Sequence, residues 1–171
     1  MNAKSLSACP SRVLCAGNLF AMLTHDCFEY PTGTMGLLYG TKTYQRNSAI
    51  TDAQEEVHTV QSIISITGYK LCDVTDYDIC HSATLHRSVV GVFLTRHDGI
   101  TYPSFRSMAY ADKIKSDCDK TETISNSCLS PLILVVNAPL GTRSWIVGLS
   151  YGLWGVLEQR FILMHILLYF S

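Results

Sequence analysis

The stretch that decides the reading is Val89-Val90-Gly91-Val92-Phe93-Leu94-Thr95-Arg96-His97-Asp98-Gly99-Ile100-Thr101-Tyr102-Pro103-Ser104-Phe105-Arg106-Ser107. Its first six residues are a valine-rich apolar run of strand length, the signature of a buried strand. Gly99 and Pro103 then punctuate a loop. From Ser104 the spacing of Phe105, Met108, Ala111 and Ile114 places one apolar face on a helix over residues 104–118, with Ser104 or Tyr102 able to cap its start beside Pro103. The stretch is therefore strand, loop and helix in succession.

Working outward, residues 35–40 (Met35-Gly36-Leu37-Leu38-Tyr39-Gly40) read as a short buried strand between glycines, and residues 57–67 as a second strand whose set His58, Val60, Ser62, Ile64 and Ile66 carries most of the apolar side chains. Residues 13–23 fit a short strand followed by a helix over 16–24. Residues 68–87 are polar and ambiguous, 117–130 a polar loop, 132–136 a central strand, and 143–151 one more. Strands interleaved with helices predict an α/β fold, a mixed β-sheet flanked by helices. A chain of 171 residues fits one domain, and folding at this size buries about 70% of the unfolded chain's surface.

Composition narrows the function. Thirteen basic and 14 acidic residues with no basic run leave nothing with which to neutralise nucleic-acid phosphates, so no nucleic-acid partner is expected. The seven cysteines are scattered, odd in number and without a Cys-x-x-Cys pair, as in reduced cytosolic proteins. Residues 1–11 lack the charged start and apolar run of a secretory signal. Glu158-Gln159-Arg160 divides the apolar C-terminal region into pieces too short to span a bilayer, which needs about 20 residues. A membrane is not an expected partner, and the expected location is cytoplasmic or nuclear.

The segments Met35 to Gly40, Ile50-Thr51-Asp52-Ala53-Gln54, Val89 to Phe93 and Ser104-Phe105-Arg106 together resemble the MPN (JAMM-like) domain family, and within it the inactive Abraxas-type scaffold subunits of BRISC-type complexes. The resemblance covers residues 13–140 and is most specific over 89–106. It implies an MPN domain over 13–150, after a tail of 1–12 and before an apolar extension of 151–171. Abraxas-type proteins continue into a coiled coil, which implies that this chain is a truncated or alternative form.

Active members carry His-x-His, seven residues, then Ser-x-x-Asp, with a glutamate upstream. Positions i and i+2 of a strand and i and i+3 of a helix each share a face, so three ligands converge on one zinc ion. Carried over, the histidine positions fall at Leu94 and Arg96, the serine at Ser104, the aspartate at Ser107 and the glutamate at Gly33. Leu94 offers no lone pair, Arg96 puts a permanent cation where a dication would sit, and Ser107 is a weak neutral ligand. The expectation is no metal, no cofactor and no catalysis. Without zinc, water keeps a pKa near 15.7 instead of about 7, a difference of roughly 12 kcal/mol. Gly33 also removes the general base.

The resemblance then implies a scaffold that binds and activates a zinc deubiquitinase of the same fold and meets polyubiquitin only indirectly, with Phe105, Arg106 and Met108 as contact candidates. Inactive subunits of the proteasome lid or of a translation initiation factor are the alternative within that class. A cysteine-dependent hydrolase is the alternative of another class, suggested by His25-Asp26-Cys27 and Cys80-His81. Adjacent residues do not face one another on a helix or strand, however, and no thiol-protease signature surrounds any cysteine.

Overall fold

The computed structural model of the protein describes residues 12–29, 34–50, 56–72, 89–121, 131–137, 150–157, 160–164 and 166–169. Their elements are β1 (Arg12–Ala16), α1 (Gly17–Glu29), β2 (Met35–Ile50), β3 (Glu56–Cys72), β4 (Val89–Arg96), α2 (Phe105–Thr121), β5 (Leu132–Asn137), β6 (Ser150–Leu157), β7 (Arg160–Met164) and β8 (Ile166–Tyr169). All eight strands join one mixed sheet in the order β7-β6-β5-β4-β2-β3-β1-β8. The β4–β5, β1–β3 and β1–β8 pairs are parallel.

Connectivity forces this sheet to curl. Strands β7 and β8 stand at its opposite edges, yet a single residue separates Met164 from Ile166. Two peptide steps reach about 7 Å, whereas eight strands laid flat at about 4.8 Å spacing would hold their edges about 34 Å apart. The edges therefore meet, and the sheet is a nearly closed barrel.

The two apolar clusters follow from that curvature. One gathers Val13, Ile64, Leu38, Phe93, Leu134, Leu153 and Ile166 from strands all around the sheet, with Phe20, Leu23 and Cys27 of α1. It is the inner core. Phe20 meets Tyr151 of β6 edge-on, with ring centroids 5.2 Å apart. The other cluster joins Met35, Leu37, Val89, Val92, Ile133 and Val135 to Ala111 and Ile114 of α2 on the outer face. Helix α2 covers β4 and β5 with Ala111 and Ile114 of the stripe read from the sequence, whereas Phe105 of that stripe is exposed.

The expected α/β class, with helices flanking a mixed MPN-type sheet, is corrected here: the protein is mostly β, its sheet nearly closed, with only two helices among the described residues. Two physical causes account for the difference. Strands β2 and β3 pair over their whole length, from Met35↔Cys72 to Ile50↔Glu56. The ladder thus carries polar residues such as Lys42 and Gln45 that no apolar run marks as strand. The mostly apolar residues 150–157, 160–164 and 166–169, in turn, form β6, β7 and β8, which complete the sheet by pairing with β5 and β1.

Strand β4 is uniformly apolar instead of alternating because both its faces are buried, and a register jump sets which residue faces which side. The pairing with β2 passes from Leu38↔Gly91 to Tyr39↔Val89, which leaves Val90 as the extra residue of a β-bulge. Val90 and Phe93 consequently face the inner core while Val89 and Val92 face α2. The strand is buried on both faces. No described helix is long and apolar enough to cross a bilayer.

Candidate functional site

The C-terminal end of β4, the start of β2 and the first turn of α2 meet at one cleft of about 140 Å³, lined by Leu94, Thr95, Thr34, Met35, Ser104, Arg106 and Ser107. The Thr95 amide donates to the Thr34 carbonyl at 2.7 Å, fixing β4 against the residue that precedes β2. Ser104 caps α2: its hydroxyl accepts the Ser107 amide at 3.3 Å, and its carbonyl accepts the Met108 amide at 3.1 Å. The Ser107 hydroxyl donates to the same carbonyl at 2.7 Å, so Ser107, 2% exposed, spends its hydrogen on the helix start.

Three of the positions singled out in the sequence, Leu94, Ser104 and Ser107, line this cleft together. Arg96 does not line the cleft. Its guanidinium donates from Nε to the Asp98 carboxylate at 3.0 and 3.2 Å, pairs with it again through a second nitrogen, and reaches the Tyr102 carbonyl at 3.4 Å. This bonding, and then the Ile100 amide that also donates to the carboxylate, holds Asp98 well below the ordinary carboxylate range, at about 2. Gly33 lies outside the described residues.

No histidine, cysteine, aspartate or glutamate lines the cleft among the described residues, and none of them forms a group of three or more that could hold a metal. The lining donors are neutral hydroxyls, a thioether and a guanidinium. Neutral hydroxyls are weak ligands for a dication, and a guanidinium repels one. The surroundings are apolar and basic instead. Phe105 is 90% exposed, and Ile100 and Tyr102 about half. Arg106 holds its guanidinium carbon 5.9 Å from the centroid of the Tyr110 ring one helical turn on. Met108 is half-buried.

The pairing of His25 with Cys27 suggested by adjacency comes apart in the structure. On α1 the His25 side chain is exposed while Cys27 is fully buried, as neighbouring helix positions diverge. Burial pushes the thiols of Cys15 and Cys27 up to about 11. A thiol so shifted is a poor nucleophile near neutral pH. Cys80 and His81 lie outside the described residues.

Several contributors to the site carry no motif. Thr34, Met35 and Thr95 enter the cleft only because β2 and β4 pair. Asn137 and Trp154, from β5 and β6, reach the 97–103 loop across 38 and 53 residues of sequence. Gly99 and Pro103 were the local signals for that loop, and Gly99 does take the left-handed conformation, with φ of 80°. Comparison of the chain with known protein families and with characterised proteins gives no match.

Proposed function

We propose that the protein is a non-catalytic scaffold that binds a zinc-dependent deubiquitinase, a subunit keeping the intact His-x-His and Ser-x-x-Asp ligand set, and activates it toward polyubiquitin. The observation that carries the reading is the cleft itself. Leu94, Ser104 and Ser107, three of the positions carried over from the zinc signature, line one cleft whose side chains are poor zinc ligands, while Arg96 turns away to Asp98. The adjoining surface, with Phe105, Arg106, Ile100 and Tyr102, has the aromatic and arginine composition of interface centres. Binding there stabilises one conformation of the enzyme's active-site loops, a population shift that needs no chemistry from this chain. The direct test is co-expression with such an enzyme, measuring bound zinc and ubiquitin-chain cleavage for each protein alone and for the complex. The expected result is zinc in the enzyme only and faster cleavage in the complex. Phe105→Ala should weaken the complex at least tenfold without moving the unfolding midpoint. Stoichiometric zinc in this chain alone, or cleavage by it alone, refutes the proposal.

A further inference from the structure

The geometry points to Arg96 as the organiser of the 97–103 loop: a side-chain cation, standing at a position where the zinc signature has a histidine, gathers the loop around itself and holds it as a preformed surface. The guanidinium takes the Asp98 carboxylate on one side and the Tyr102 carbonyl on the other, so the two ends of the loop are tied to one group. Asp98 in turn accepts the Ile100 amide at 3.1 Å, closing an Asx turn through Gly99.

The body of the protein grips the loop at two further points. The Gly99 amide donates to Asn137 Oδ1 at 3.1 Å, and Asn137 is itself anchored by donating to the Ser150 hydroxyl at 3.3 Å. The Trp154 indole donates to the Thr101 carbonyl at 2.8 Å, and its ring meets Tyr102 edge-on with centroids 4.7 Å apart. The loop lies so close on β6 that a Cβ at Gly152 would stand 2.6 Å from the Thr101 oxygen.

A seven-residue loop with this many side-chain ties to β4, β5 and β6 does not need ordering when something binds its exposed Ile100 and Tyr102. Arg96 is a positioning residue in this device, and its planar fork is what lets one group serve a carboxylate and a carbonyl at once. The clasp stands on its own geometry, whereas its consequence for docking rests on the proposed scaffold function.

Amide hydrogen exchange on the full chain tests the clasp. Arg96→Met should raise exchange at Gly99, at Ile100 and at the Trp154 indole by at least tenfold, with Leu134 and Val135 of β5 unchanged. Arg96→Lys keeps the charge without the fork and should rescue little of the loss. Asp98→Asn attacks the clasp from the other side and should give the same local pattern. Unchanged exchange at Gly99 and Ile100 in both Arg96→Met and Asp98→Asn overturns the inference, as does an equal rise throughout the sheet. If Arg96→Met leaves the loop closed about a tenth of the time, affinity for the zinc deubiquitinase falls about tenfold. A wild-type chain that binds no such enzyme removes the docking role alone, and the exchange pattern still decides the clasp.

Discussion

Replacing Gly91 by alanine tests the packing on which the site is built. Gly91 pairs with Leu38 of β2 and with Leu132 of β5. An added Cβ would stand 2.3 Å from the Leu132 carbonyl oxygen, 2.8 Å from its Cβ and 2.9 Å from its carbonyl carbon. These neighbours are backbone or next to it, so no side-chain rotation relieves the contact. The strands must part by about 1 Å, which stretches a ladder hydrogen bond from about 2.9 Å to beyond bonding range. Overpacking costs about 1–3 kcal/mol. Two weakened ladder bonds add about 1 kcal/mol each. The expected loss is about 3–5 kcal/mol, a large fraction of the roughly 5–15 kcal/mol that holds a domain together. For a chain of this size the unfolding midpoint should fall by about 6–20 °C. Thermal and urea unfolding followed by circular dichroism measure it, with Gly68→Ala as the control. Nothing lies within 4 Å of a Cβ added at Gly68, so that variant should be unchanged or more stable by up to about 1 kcal/mol. Gly91→Ala within about 0.5 kcal/mol of wild type, or a Gly68→Ala loss of equal size, refutes the packing argument.

Other expectations follow from the same structure. At pH 8 a thiol titrating at about 11 is ionised about one time in a thousand, so Cys15 and Cys27 should alkylate at least tenfold more slowly than half-buried Cys72 in peptide-resolved mass spectrometry of the native protein. Equal rates would also reopen the cysteine-hydrolase reading. The Tyr69 hydroxyl donates to Asp26 at 2.6 Å and ties α1 to β3; Tyr69→Phe should cost about 1 kcal/mol, kept modest because Asp26 is partly open to water. Burial first, and then Asp26, raises the Tyr69 phenol to about 12. Its contribution is therefore full below the unfolded value of about 10 and fades as pH rises through about 12, which urea unfolding of both proteins at pH 7 and pH 11.5 resolves. For Asp98 the sign is reversed: its folded value is lowered, so its contribution is present above about pH 4 and is lost as pH falls through about 2. Carbon-13 titration of its carboxyl should find that low midpoint in wild type and a return toward 3.9 in Arg96→Met.

Much of the site was legible locally. The spacing of Phe105, Met108, Ala111 and Ile114 located α2, Ser104 announced its cap, and residues 89–94 announced a strand, because helix period, capping chemistry and apolar runs are properties of short windows. Helix periodicity also put Ser104 and Ser107 on one side of the helix start, whereas Leu94 joins them only through the packing of α2 on β4. The same logic failed for Arg96. The periodicity that set its direction does not say whether a nearby acid will capture it, and Asp98, two residues on, does so with help from the Tyr102 carbonyl.

What the chain by itself determined, then, is where single elements begin and which residue types stand at 94, 96, 104 and 107; no folding can give Leu94 a lone pair or take the charge from Arg96. Only the tertiary structure decided the fold class, the closure and the loop. Polar strand residues such as Lys42 and Gln45 are extended because β3 lies beside them. The C-terminal apolar residues are strands because β5 and β1 leave edges to be paired. The 97–103 loop has its shape because Asn137 and Trp154 arrive from far along the sequence. Each of these depends on contacts between distant segments, whose free energy appears only once the sheet has curled and brought them together.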